Sequence, residues 1–281
     1  MACQDTSDEP IPLPISALTA DVLASDKDFR DYTFLHNKIT GQSAFLKKGT
    51  AQDRVNAVKE MQEVRAIYSR EKSTGSISLD IQQRAAKSFG FSSAEDLNAA
   101  FKSLIEIQNR LVQKFPSLKQ DNSDSRSLLS EAYAQLGKEL PYVVVFGKRN
   151  GYFALNKGEW RRNLGGLITL RTGCCPDPWD SDCNGDGIPE CGVRGCPPNC
   201  CDVAMNKLQK KYRRCDVEFF SASFFCLVAS LAMVAECPPC AIFFAIDCEL
   251  VAGMIYGACL DDATAEYFYD IVACGECPSI F

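Results

Sequence analysis

Cysteine is the residue type in this sequence with the most chemistry to offer, and its spacing is regular. Five cysteines follow one another at intervals of 11 positions: Cys215, Cys226, Cys237, Cys248 and Cys259. Eleven residues make about three turns of an α-helix, so these side chains would form one stripe along a helix. Two such stripes that face each other can be joined by disulfides. The spacing therefore predicts cross-linked helices.

A proline pair interrupts the stripe and suggests how it folds. Pro238 and Pro239 remove two backbone donors and force a break in the helix. If the chain turns back there, the flanking cysteines pair symmetrically about Cys237. The predicted disulfide ladder has three rungs, with Cys201 as an alternative to Cys200: Cys226–Cys248, Cys215–Cys259 and Cys200–Cys274. Another connectivity stays open, because sequence alone does not fix disulfide pairing.

Two cysteine pairs also have the spacing of zinc knuckles, Cys237-x-x-Cys240 and Cys274-x-x-Cys277. A zinc-knuckle protein is therefore an alternative interpretation of the C-terminal region. The 33 residues between the pairs are almost wholly apolar and contain two further cysteines. Zinc ribbons normally join their knuckles with short polar strands, which argues against this interpretation. A thioredoxin-like redox centre at either pair lacks the βαβ context that it requires.

An acidic segment, 177–192, is a candidate site for a hard cation. Its candidate ligands occupy alternate positions and continue beyond Gly187: Asp180, Asp182, Asn184, Asp186 and Glu190. Ca²⁺ prefers several carboxylate and carbonyl oxygens. The segment resembles the calcium loops of thrombospondin type three repeats and dockerin-like segments, which implies a structural Ca²⁺ site. An acidic, solvated turn between Cys183 and Cys191 is the alternative.

Cysteine at this density persists as disulfide only in an oxidising compartment, so we expect an extracellular or cell-surface protein. Of the 16 cysteines, 15 lie between Cys174 and Cys277. The first ten residues, MACQDTSDEP, show neither a basic n-region nor an apolar h-region. Export then needs another explanation. One option is that the written start is too late and that Cys3, which a polar and acidic stretch follows, is the lipidated first residue of a mature surface lipoprotein. An ordinary N-terminal thiol is the alternative.

The distribution of charge excludes some partners. Residues 171–281 contain 7 Lys or Arg against 16 Asp or Glu, and no basic residue follows Arg214. Nucleic acid is not an expected partner, because its binding needs clustered positive charge. A membrane or a target-cell envelope is the candidate partner. The single histidine, His36, is expected to be a helix-surface or core residue, so we predict that the protein is not an enzyme.

The N-terminal elements that must position these residues are mainly helical. Apolar residues recur every three to four positions between 55 and 68 and between 97 and 115, which predicts amphipathic helices. Ser92 and Glu95 have the form of a capping box at the start of the second helix. Pro116 ends that helix.

The next segments predict a polar loop at 116–127, a short helix at 128–136 and a β-hairpin near 142–156, around Asn150-Gly151. The predicted fold class is mainly α: an N-terminal helical domain with a small β-hairpin, and a C-terminal disulfide-stapled helical hairpin. The predicted division is a flexible N-terminus at 1–15, a helical domain at 16–170, a Cys-rich acidic loop at 171–201 and an apolar helical domain at 202–281.

The apolar content of the C-terminal region exceeds what a small core requires. Residues 219–235 are 17 uncharged residues in a row. A membrane span needs about 20, so we expect a buried helix in a stapled bundle. A hairpin this apolar could open into a bilayer if its disulfides permit.

The segment "CPPCAIFFAIDCELVAGMIYGAC" with the closing "CGEC" resembles the cysteine-rich domain of the halocin-type bacteriocins. The resemblance covers at most residues 200–277. Its most specific element is a CxxC followed, after seven residues, by a third cysteine, here Cys237, Cys240 and Cys248. It implies a C-terminal toxin and an N-terminal leader or immunity-like partner. A disulfide- and calcium-stabilised surface lipoprotein, binding or structural protein without toxicity is the alternative.

Overall fold

The computed structural model describes residues 18–47, 49–72, 76–147, 151–157, 200–234 and 236–274. Within these ranges the α-helices are α1 (Ala20–Ser25), α2 (Lys27–Gln42), α3 (Ala51–Lys72), α4 (Leu79–Ser88), α5 (Ala94–Lys114), α6 (Ser123–Leu136), α7 (Cys200–Val234) and α8 (Pro238–Cys274). Strands β1 (Tyr142–Gly147) and β2 (Gly151–Asn156) pair antiparallel, and short 3-10 helices lie at Ala44–Leu46 and Pro116–Lys119. The predicted mainly α fold with a small β-hairpin is confirmed, and α7 and α8 pack together.

Short polar side chains determine where the N-terminal helices (α1–α6) begin. The Asp26 carboxylate accepts hydrogen bonds from the backbone N–H groups of Asp28 and Phe29 at the start of α2. The Asn122 side chain accepts from the N–H of Ser125 at 2.9 Å at the start of α6. Each such cap satisfies a donor that helix geometry leaves free, and contributes about 1 kcal/mol.

The predicted capping box of α5 is wrong by one residue. The hydroxyl of Ser93, rather than that of Ser92, accepts from the N–H of Asp96 at 3.1 Å. Ser92 instead donates its hydroxyl to the Asp96 carboxylate at 2.8 Å. Adjacent serines compete for the cap, and the one in extended backbone conformation directly before the helix takes it.

The predicted polar loop at 116–127 is also wrong, because most of it is helical. Leu118 is fully buried and anchors the 3-10 helix on the core. Helix α6 then begins at Ser123, where the Asn122 cap and the ion pair between Arg126 and Asp121 stabilise its first turn.

One continuous apolar core joins the N-terminal helices to α7 and α8. Its buried members run from Leu23 in α1 to Ile271 in α8. Helix α7 packs on α5 and α6, and α8 packs on α3 and α5. The predicted boundary between the helical domain and the Cys-rich acidic loop, at 170–171, lies outside the described residues, as does the predicted loop up to 199. The parts on either side share this core.

Candidate functional site

Helices α7 and α8 form an antiparallel helical hairpin, called here the C-terminal hairpin. They are 35 and 37 residues long. Pro238 and Pro239 are the first two residues of α8, where a missing N–H removes no helical hydrogen bond. The N–H of Cys237 donates to the carbonyl of Met233 at 2.9 Å, which closes the end of α7. The proline pair thus breaks the helix and also starts the next one.

Among the cysteines whose side chains are described, two disulfides join the helices. Cys226 is bonded to Cys248 and Cys215 to Cys259, with Cα–Cα distances of 6.0 and 5.9 Å. These are the two inner pairs that the 11-residue spacing favours. The rungs are 11 residues apart on both helices, which corresponds to about 16 Å. They fix the register of two helices whose apolar surfaces would otherwise pack in several ways.

The third predicted rung lies at the open end of the C-terminal hairpin. Cys200 is the first residue of α7 and Cys274 the last residue of α8. The side chains of both, and of Cys201, lie outside what the structure describes. This pairing therefore stays a prediction.

Cys237 and Cys240 are bonded to each other, with a Cα–Cα distance of 5.2 Å. In this state neither sulfur is available as a zinc ligand, and Cys277 lies outside the described residues. Among the residues that the structure describes, no group of three or more His, Cys, Asp or Glu is arranged to hold a metal ion. The zinc-knuckle interpretation thus gains no support from the pair at the proline turn.

The remaining predicted site residues lie outside the described ranges. They are the candidate calcium ligands and the candidate lipidation site: Asp180, Asp182, Asn184, Asp186, Glu190 and Cys3. The Ca²⁺ site and the lipid anchor therefore stay predictions.

By length and composition, both helices of the C-terminal hairpin could cross a membrane. The candidate spans are Val203–Val234 and Pro238–Val272. Of the most apolar stretch in each, 44% and 56% respectively is buried inside the protein. A buried core helix passes the same composition test, and the N-terminal helices cover much of this apolar surface.

The centre of the covered surface is an aromatic cluster around Phe220 of α7. The ring of Tyr133 stacks on Phe220 with centroids 4.4 Å apart. Phe29, Tyr32 and His36 of α2 approach the same ring at 6.0, 5.9 and 5.5 Å. His36 is only 3% exposed. Of the two predicted positions, helix surface or core, it occupies the core. Four N-terminal rings thus enclose one side chain of the C-terminal hairpin.

Polar side chains of the N-terminal helices also reach into this interface. The Gln108 amide donates to the backbone carbonyl of Phe224 at 2.6 Å, although Gln108 is fully buried. Ser69 donates to the Asp247 carboxylate at 2.7 Å, and Arg65 lies 3.7 Å from the same carboxylate. Each contact pairs a polar group of the C-terminal hairpin with a side chain of the N-terminal helices.

A second buried carboxylate, that of Glu249, lies between the two parts of the chain. Nε2 of His36 is 3.7 Å from Oε1 of Glu249, and both side chains are almost fully buried. Ser223 of α7 donates its hydroxyl to Oε2 at 3.0 Å. Beyond the proximity of His36, Oε1 has no hydrogen-bond partner.

Asp216, on α7, is a third acid of this interface, and it is partly buried. Burial raises the pKa of its carboxyl to about 7, against the opposing effects of a hydrogen bond from the Tyr256 hydroxyl and the charge of Arg213. The side chain lines a small cavity that it shares with His36 and Tyr133 of the N-terminal helices. The three acids Asp216, Asp247 and Glu249 all face the seam between the two parts.

Two glycines of α8 let the N-terminal part approach closely. A Cβ on Gly253 would lie 3.1 Å from the methyl group of Met61 and 3.6 Å from the Phe45 ring. A Cβ on Gly257 would lie 3.7 Å from Phe45. The Tyr152 hydroxyl donates to the Gly257 carbonyl at 3.3 Å. The groove along these glycines is therefore filled by side chains of the N-terminal part.

The open end of the C-terminal hairpin is polar and exposed. Lys207 of α7 pairs with Glu266 and Asp270 of α8 at 2.8 and 3.0 Å, and Lys211 also pairs with Glu266. On α8, Tyr269 is 77% exposed, so apolar groups here meet solvent. The N-terminal helices therefore cover the centre of the C-terminal hairpin more fully than its open end.

Sequence reasoning missed the N-terminal residues of this interface, although signals for two of them exist. Gln108 falls on the apolar stripe of α5, four residues after Leu104 and three before Leu111. His36 follows Phe29 and Tyr32 at helical spacing on the buried face of α2. A polar side chain on a buried stripe predicts a specific hydrogen-bond partner elsewhere in the fold.

The site is thus an apolar, disulfide-bonded helical hairpin whose centre is covered by the N-terminal helices. Comparison with protein-family models, with curated proteins and with solved structures found no match to this chain. Its function is therefore inferred from the residues of the hairpin and of its cover.

Proposed function

We propose that this chain is a secreted or cell-surface bacteriocin-like protein whose C-terminal hairpin is the membrane-active part. The N-terminal helices act as a leader or immunity-like partner that masks the hairpin. The observation that carries the proposal is the aromatic cluster around Phe220. It covers the centre of a helix that is apolar and long enough to cross a bilayer.

The cover gives a physical reason for both a masked and an active state. Phe220 and Phe224 are fully buried by the N-terminal part together with their own hairpin. Removal of the N-terminal helices would expose these rings to water, which is unfavourable by about 25 cal/mol per Å² of apolar surface. A bilayer offers the same burial, so a released hairpin would bind to it.

The two disulfides between α7 and α8 determine the form in which the hairpin would separate from the N-terminal helices. Because Cys215–Cys259 and Cys226–Cys248 are covalent, α7 and α8 stay together when the N-terminal contacts are lost. The unit that meets the membrane is then a closed hairpin rather than two free helices.

The buried acids favour disruption of the bilayer over simple anchoring. Without the N-terminal helices, Asp247 loses Ser69 and Arg65, and Glu249 loses His36. Ionisable side chains within a bilayer are unfavourable unless they face a polar interior or water. Hairpins that shared such a water-filled path would let solutes leak.

The test uses the full chain with a site for a sequence-specific protease inserted after Gly166. The oxidised protein is added, before and after cleavage, to vesicles of phosphatidylcholine and phosphatidylglycerol that contain a self-quenching dye. A second protein carries the same site together with Phe220→Ala, which weakens the contact between the two parts. We expect no dye release from the intact chains and release after cleavage, most strongly with Phe220→Ala.

Two controls are matched to this experiment. The first is the chain without the protease site, treated with protease. The second is the cleavable chain with Leu79→Ala, because Leu79 is 68% exposed and lies outside the interface. If the cleaved and separated hairpin keeps its disulfides but leaves the vesicles intact, the membrane-active function is wrong. The durable surface or binding protein then takes its place.

A further inference from the structure

We propose that the Cys237–Cys240 disulfide is a thiol–disulfide exchange site, which reacts with thiol reductants while the two rungs stay closed. The bond lies at the turn between α7 and α8, with both cysteines partly exposed and with Pro238 and Pro239 exposed between them. It joins no two helices. The assignment does not depend on whether the hairpin is membrane-active.

The position of the pair at the start of α8 favours a thiolate. Cys237 directly precedes the helix and Cys240 is its third residue. The N-terminus of a helix carries partial positive charge, which lowers the pKa of a thiol placed there. Since the two prolines carry no N–H, the amide of Cys240 is the first donor of α8. A sulfur with a lowered pKa is the better leaving group in exchange.

One cysteine of each rung lies in surroundings that favour a thiolate less. Cys248 stands between Asp247 and Glu249, two buried acids that disfavour a second negative charge. Cys215 is only 3% exposed, whereas Cys226, Cys248 and Cys259 are partly exposed, as the cysteines at the turn are. At the turn the nearest acid in sequence is Glu236, which is exposed and therefore screened by solvent. Attack by a thiolate is thus favoured at the turn.

The Cys237–Cys240 disulfide contributes less to the stability of the fold than either rung does. Its cysteines are 3 positions apart, against 22 and 44 for the rungs. The chain entropy that a disulfide removes grows with the length of the loop it closes, so the shortest loop matters least. The fixed φ angles of Pro238 and Pro239 keep the two cysteines close after reduction, so the bond can re-form without movement of the helices.

The reaction balances with two equivalents of a thiol. The thiolate of the reductant bonds to one of the two sulfurs, and the other sulfur leaves as a thiolate and takes up a proton. A second reductant thiolate attacks the mixed disulfide. The Cys237–Cys240 pair is then a dithiol, and the reductant has become its own disulfide.

The experiment is differential alkylation of the full oxidised chain in graded glutathione buffers. Aliquots are quenched with an excess of N-ethylmaleimide near neutral pH, which alkylates the free thiols, and are then acidified and digested with pepsin. Pepsin is used because no Lys or Arg follows Arg214, so trypsin does not cut there. Mass spectrometry then follows each described cysteine separately. We expect Cys237 and Cys240 to be labelled about tenfold sooner than Cys215, Cys226, Cys248 and Cys259, with the far-ultraviolet circular dichroism unchanged. Labelling of a rung at the same rate or earlier, or loss of helicity together with the first labelling, overturns the proposal.

Variants in which one cysteine of a disulfide is replaced by serine give a second, independent readout. Cys240→Ser leaves the Cys237 thiol at the start of α8, and Cys248→Ser leaves the Cys226 thiol in the middle of α7. With oxidised glutathione we expect a mixed disulfide on Cys237 that forms about tenfold faster than the one on Cys226. Equal rates, or no adduct on Cys237, contradict the assignment. Circular dichroism of both variants verifies that they are folded.

Discussion

The N-terminal helices and the C-terminal hairpin reach a defined structure by different means. In the N-terminal part, capping residues such as Asp26 and Asn122 determine where helices begin. Ion pairs such as the one between Arg84 and Glu60 join neighbouring helices there. The central part of the hairpin, between Glu218 and Glu266, contains no basic residue and cannot form such pairs internally. Its register is fixed by disulfides instead. Apolar surfaces attract without direction, so a helix pair that lacks charges needs covalent bonds to specify one arrangement.

The largest expected effect comes from removing the side chain on which both regions meet. Phe220→Ala leaves a cavity within the aromatic cluster, and we expect the free energy of unfolding to fall by about 3–5 kcal/mol. Urea denaturation measures it, with Leu79→Ala as the control for an exposed site. A loss below about 1 kcal/mol would mean that the two regions do not depend on each other through this ring.

Because Asp216 lies at the interface between the two regions, the pH dependence of stability tests this interface. Its carboxyl has a pKa of about 7 in the folded protein against 3.8 as the ordinary value, because the surrounding protein keeps water away from the carboxyl. Between these values the folded state holds a proton that the unfolded state has released. Stability from this group is therefore fully present below pH 4 and is lost as the pH rises through 7.

Asp216→Asn should remove that dependence. We expect the variant to be more stable than the natural chain at pH 8, by on the order of 3 kcal/mol, and about equal to it at pH 4. Thermal unfolding at both pH values measures the difference, with the exposed Asp262→Asn as the matched control. An equal effect of both substitutions would contradict the role of burial.

Replacing each disulfide in turn measures how much that covalent bond contributes to the free energy of unfolding. Replacing Cys215 and Cys259 together by Ser should lower the free energy of unfolding by about 3 kcal/mol. Replacing Cys237 and Cys240 should lower it by about 1–2 kcal/mol, because that loop is far shorter. Denaturation of the two double variants in parallel measures the ranking, and a reversed order would contradict the loop-length argument.

The smallest expected effect is at the exposed end of the hairpin. Lys207 pairs with Glu266 and Asp270 while its side chain is about half exposed. Lys207→Gln should lower the free energy of unfolding by less than about 1 kcal/mol, and salt should reduce the difference further. A larger, salt-independent loss would show that the open end is less solvated than its exposure suggests.

Much of the fold follows from local patterns in the sequence. The apolar stripes predicted α3 and α5, and the proline pair predicted the turn of the C-terminal hairpin. Asn150-Gly151 predicted the β-hairpin. The 11-residue spacing led to both inner rungs, because one helix period relates all these cysteines. Each of these signals is contained in a short window of sequence.

The interface between the two regions could not be predicted, since it depends on contacts between residues far apart in the chain. Gln108 and Phe224 are 116 positions apart, and no local period links them. Tyr133 resembles any aromatic residue on an amphipathic helix until Phe220 is placed against it. The start of α6 was missed for another reason, because its polar first turn was read as a loop when it is capped by Asn122.

The two rungs also limit the order of events in the life of this chain. Once Cys215 is joined to Cys259 and Cys226 to Cys248, the last third of the polypeptide is no longer a single thread. If the chain is exported through a channel that admits only one extended strand, this segment must pass while its thiols are still reduced. Oxidation of the two rungs would then follow translocation.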